Sequence, residues 1–213
     1  LSKKDLSGAN LSGADLSGVN LTGVSLSRAD LSGANLSGAI LTNTDLSFAI
    51  LTDALLTNTD LTNTDLTGAK LSGAKLINAD LSGADLTSAG LDKYTPQIIL
   101  NNADLTNAIL TDAKLGGTDR RNADLKGVIL TNADLSGTTI TFADLTNATL
   151  INTDLSYADL RGVILTNADL SGAKLINAKL TDAGPQPNQQ RTILTNATLI
   201  NTDLSDAILS RVS

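Results

Sequence analysis

Leucine occupies every fifth position from Leu1 to Leu91, nineteen times without an exception. A second run extends from Leu100 to Leu180, broken only at Arg120 and Ile140, and a third passes through Leu194, Leu199, Leu204 and Leu209, giving 40 centres. On a helix, which turns about 100° per residue, centres five apart fall about 140° from one another and make no apolar face. In a straight strand side chains alternate, so an odd period throws successive leucines onto opposite sides. Only a chain that bends once per repeat brings every leucine to one axis. The second residue after each leucine is commonly Gly or Asn, the residues that tolerate the positive φ of tight turns.

The rest of the repeat is equally regular. Of the 38 residues two places before the centres other than Leu1 and Leu100, 25 are Ala, eight Thr, four Val and one Lys, Lys4. Asp or Asn usually precedes the leucine and Ser or Thr follows it. Longer echoes show copying: LSGAKLINA begins at Leu71 and again at Leu170, and NATLINTDLS at Asn147 and again at Asn196. The pattern A(D/N)LXX, seen as ADLSG at 14–18 and ADLTN at 143–147, closely resembles the pentapeptide-repeat family. The resemblance covers nearly the whole chain. It implies an all-β fold, a right-handed quadrilateral parallel β-helix with four repeats per coil, forming a single domain over 1–213. Each leucine then stacks on the one twenty residues away. Forty centres make about ten coils and, at a strand spacing near 4.8 Å, a rod about 48 Å long.

Composition narrows the function. There is no Cys, His, Met, Trp or Glu, and the net charge is −7. Direct nucleic-acid binding is disfavoured, because it rests on clustered Lys and Arg that neutralise phosphates. Without His, Cys or Glu, acid–base work is left to Asp, Lys, Arg and Tyr, and no Ser-centred triad can be built. An enzyme is therefore not expected, although an Asp-based glycoside-cleaving site is conceivable on an acidic ladder. No cofactor is implied. No apolar run reaches the roughly 20 residues of a spanning helix, so no membrane contact is expected. The cytoplasm is the favoured compartment, but the chain starts on Leu1 rather than Met and a targeting signal upstream stays an open alternative.

Two phase slips coincide with the Pro-bearing stretches, DKYTPQII at 92–99 and GPQPNQQRT at 184–192, with the second interruption taken to 193. Pro cannot donate to a ladder, so both read as loops leaving the coil at a corner. They are either tolerated insertions or partner contacts that expose Tyr94 and Arg191. In GGTDRR at 116–121 the register survives, yet Arg120 stands where a leucine belongs. A buried unpaired guanidinium is very costly. The sequence predicts a bulge that turns Arg120 outward, paired to Asp119, either a tolerated defect or a binding point.

Residues twenty apart share a face, so the position before each leucine reads as vertical ladders. Asp45, Asp65 and Asp85 form one, with Asp5 below, and Asp104, Asp124 and Asp144 a second. Carboxylates one strand spacing apart repel, which predicts raised pKa values or a bridging cation such as Ca²⁺; the plainer alternative is a solvated acidic face with no metal. Ile40, Ile50 and Leu55, with Phe48 beside them, then Ile109 stacked on Ile129, and Ile164, put apolar side chains outside, where clusters often mark contacts. Phe142 and Tyr157 fall on turns. Open coil ends expose backbone edges, and Ile208, Leu209 and Val212 make the C-terminal end the better candidate for a homodimer.

These readings lead first to a non-catalytic structural scaffold that binds an unidentified protein partner through faces, loops or ends. The alternative comes from family members that resemble duplex DNA in size and charge and bind DNA gyrase or topoisomerase. This chain shares the acidity, but Lys70, Lys75, Lys114, Lys174 and Lys179 interrupt its ladders, and none of its centres is Phe. Ice binding on a flat Thr face is the weakest reading, since Thr alternates with Ser and Asp.

Overall fold

A computed structural model of the chain describes residues 4–90, 100, 102–105, 108–110, 123–181 and 191–209. The repeat around Leu31 shows why five residues suffice for one side of a turn. The Ala34 N–H donates to the Leu31 carbonyl (3.0 Å) and closes a tight turn, and within it Gly33 has φ of 64°. Positive φ at the third turn residue is the signature of a type II turn. The Leu31 and Gly33 N–H groups donate to Ile50 and Thr52 one turn above (2.8 Å each), and the Asp30 N–H donates to Ala9 one turn below (2.9 Å). The Ser32 N–H has no backbone partner in this scheme and donates to Asp30 Oδ1 (3.0 Å). All five N–H groups of the repeat are thereby satisfied, as a buried-sided backbone requires.

The Asp or Asn before each leucine is thus a structural cap as well as a surface group. The same bond from the residue after the leucine recurs at Asn10, Asn20, Asp45, Asp60 and Asp134, among others. Gly and Asn hold most of the left-handed corners, but Arg28, Phe48, Phe142 and Tyr157 also take φ of 57–62°, the turn placement expected for both last-named aromatics.

Single parallel bridges link residues twenty apart, from Asp5 with Ser25 up to Lys70 with Gly90. Four such columns of outward residues make a four-sided rod. Asp5 starts the first column, Asn10 the second, Asp15 the third and Asn20 the fourth; the first runs unbroken through ten residues to Asp203. Inside, the leucines from Leu26 to Leu86 are at most 1% exposed, and Ala fills the narrower places beside them. Thr replaces Ala in this interior because its hydroxyl finds a partner: Thr44, Thr59 and Thr64 donate to the carbonyls of Leu21, Leu36 and Leu41 at 2.8–3.0 Å.

Three spacings longer than twenty occur among the bridges. Asp80 bridges Asp104 and Asp85 bridges Ile109, 24 residues on; Asp104 bridges Ile129 and Ile109 bridges Asp134, 25 on; Ile164 bridges Ile193, 29 on. The first and last surpluses lie where the phase slips fall. The middle surplus is one whole period, so the leucine register passes through it unchanged. Between Leu110 and Leu125 the turn needs one further centre, whereas the period supplies two, Leu115 and Arg120. Arg120 itself, with Tyr94 and most of the two Pro-bearing stretches, lies outside the described residues.

Where the chain rejoins after the last surplus, Thr192 is fully buried. Its hydroxyl accepts from the Gly162 N–H (3.0 Å) and donates to the Thr181 carbonyl (2.9 Å). Thr192→Val keeps the volume and removes both bonds. The Gly162 N–H also donates to the Thr181 carbonyl (3.0 Å), so neither partner is stranded, and urea unfolding is expected to show a loss of about 0.5–1.5 kcal/mol, the net worth of a hydrogen bond, whereas exposed Arg191 changed to Ala leaves the midpoint nearly unmoved.

Candidate interaction surface

The columns determine which candidate residues meet. Asp45, Asp65 and Asp85 stand in succession in the first column, with Ser25 between them and Asp5, as the twenty-residue spacing predicts. The second expected ladder does not form. Asp104 sits in the fourth column above Asp60 and Asp80, while Asp124 and Asp144 are bridged to each other in the third. The cause is the 25-residue link, which sets everything after it one face back from the twenty-residue reckoning. For the same reason Ile109 and Ile129 are not stacked: Ile109 follows Asp85 in the first column and Ile129 follows Asp104 in the fourth. Ile40, Ile50 and Leu55 point from three different columns, because residues five apart turn a corner, so they make no single apolar patch with Phe48.

The resulting surface is uneven in charge. Among the described residues, the first column carries seven Asp and the fourth four, with Lys174 the one cation in either. Lys174 lies between Asp154 and Asp203 and pairs with Asp154 at 3.6 Å. In the third column Asp124 and Asp144 share Lys126, at 3.9 and 3.3 Å, and in the second Asp159 holds Arg161 at 2.6 Å. Lys126 and Arg161 follow their leucines, a place where only Ser and Thr drew notice in the sequence; an Asp two residues earlier was the signal for both pairs.

At Asp5 the expectation of a raised carboxyl pKa is reversed, and Asp30, Asp60, Asp169 and Asp203, outside the two expected ladders, are lowered as well. Ser hydroxyls and then the backbone N–H groups of Ser7, Ser32, Ser171 and Ser205 hold Asp5, Asp30, Asp169 and Asp203 below the ordinary 3.8. At Asp60 burial pushes upward, but the Thr62 hydroxyl and N–H with the Thr42 hydroxyl outweigh it; the Thr42 bond is 2.8 Å. Local hydrogen bonds to the charged form therefore outweigh the desolvation that opposes them. A folded-state value below the unfolded one means that the unfolded chain takes up more protons on acidification. The contribution is full above the unfolded value of about 3.9 and disappears as pH falls through the folded values. The urea midpoint is expected to stay level from pH 7 to about 5 and to decline below about 4.

Among the described residues no group of three or more Asp, Glu, His or Cys is placed to hold a metal ion. Nor is any helix there long and apolar enough to cross a membrane. Of the end residues, Ile208 is 52% and Leu209 47% exposed.

Four bridged columns, a leucine interior and a left-handed corner in every five residues define a β-solenoid built from a single short repeat. The chain belongs to the pentapeptide-repeat family: eight copies of the family described as Pentapeptide repeats match over residues 5–43, 39–76, 64–93, 97–119, 121–156, 143–182 and 190–213. Its members form right-handed quadrilateral β-helices and are generally non-enzymatic. The chain is similar to HetL, a pentapeptide repeat protein involved in heterocyst differentiation regulation in the cyanobacterium Nostoc sp. strain PCC 7120. Identity is 31%, over 98% of this chain and 88% of HetL, with a TM-score of 0.58. A trypsin-treated form of QnrB1, a plasmid-mediated fluoroquinolone resistance protein, is 18% identical over 91% of this chain and 90% of its own, with a TM-score of 0.45. No curated protein gives a significant sequence match.

Proposed function

We propose that this chain is a non-catalytic scaffold that binds another protein along the sides of its rod, and that the carboxylate side formed by the first and fourth columns is the principal contact. The observation that carries this reading is the segregation of charge: eleven Asp against Lys174 on two adjoining columns of the described residues, on a backbone whose interior leaves little room to move. Regularly spaced carboxylates offer fixed charge, which favours rate and choice of encounter with a basic surface. The similarity to HetL supports a regulatory setting. Contacts through the interrupting segments, with Tyr94 and Arg120, and a homodimer through the end bearing Ile208 and Leu209 belong to the same proposal.

Affinity capture from cell extract tests it, comparing the chain with an Asp45→Asn, Asp65→Asn, Asp85→Asn variant of matching circular dichroism. Proteins retained by the first and lost from the second are expected. An identical set on both would remove the carboxylate side from the reading. The alternative, a duplex-DNA mimic acting on gyrase or topoisomerase, is favoured only by the same acidity, and the separation of Asp104 from Asp124 and Asp144 weakens it. Salt-sensitive inhibition in a supercoiling assay would turn the proposal to DNA mimicry, whereas no effect at high micromolar concentration would eliminate it.

A further inference from the structure

We draw no further inference here: the strongest candidate, the carboxylate side formed by the first and fourth columns, is an acidic cluster beside which nothing in the structure points to a ligand, and its use as a docking face is already the function proposed above.

Discussion

Leu66→Ala is expected to lower the unfolding free energy by about 2–5 kcal/mol, the range found when a buried leucine is cut back and its cavity stays open. Leu66 is 1% exposed and lies in the interior row with Leu46 and Leu86, both fully buried. Relaxation into the cavity is opposed by the ladder itself. The Leu66 N–H donates to Asp85 (2.7 Å), and its carbonyl accepts from Ala69 (2.9 Å). Those bonds hold the backbone at its distance from the axis, so neighbouring side chains cannot close the gap without breaking the turn. The upper part of the range is therefore expected in urea unfolding. Leu199, 38% exposed, serves as the comparison: Leu199→Ala removes less buried surface and should cost much less. Equal losses at the two sites would contradict a continuous leucine interior.

Gly68→Val is the second large effect, about 2–4 kcal/mol. Two causes add. Gly68 has φ of +63°, and a Cβ there would lie 2.7 Å from Cδ1 and Cε1 of the Phe48 ring. A left-handed conformation costs a side-chain-bearing residue roughly 1–2 kcal/mol, and β-branching makes it worse. Displacing the ring adds about 1 kcal/mol, the low end of an over-packing cost, because Phe48 is 53% exposed but gives up its place between Gly68 and the Arg28 guanidinium, whose carbon is 5.7 Å from the ring centroid. Gly38→Val isolates the backbone part, since Gly38 has φ of +67° and nothing within 4 Å of its Cβ position. Thermal unfolding should order the three proteins as native, Gly38→Val, Gly68→Val. Equal losses in the two variants would mean that the ring gives way without cost.

The interior was legible because the leucine period admits no straight element, and the corners because Gly and Asn mark positive φ. The ladder of Asp45, Asp65 and Asp85 followed from the same arithmetic. What escaped the sequence had two physical sources. A surplus of five residues between Ile109 and Asp124 has the same length as the repeat, so it leaves the leucine phase intact while moving Asp104 away from Asp124 and Asp144. At Asp5 the carboxyl pKa direction was missed because the Asp residues were weighed against each other rather than against the hydroxyl and N–H two residues on. The pattern D-L-S and D-L-T already held that information, as an Asp that bonds its own backbone two residues on is a common turn device.

The 25-residue link between Asp104 and Ile129 has a consequence for how such a rod changes over time. Gain or loss of one repeat leaves the core equivalent before and after, since every inward place accepts the same leucine and small residue. A turn lengthened to 25 residues leaves the faces beyond it where they were, but a repeat wound in as a fresh side rotates everything beyond it by a quarter turn. Asp and Ile rows that faced one way then face another, and neighbours across a boundary are exchanged wholesale. Surface chemistry on this fold can thus be redialled in quarter turns by length alone, with no substitution and almost no demand on stability.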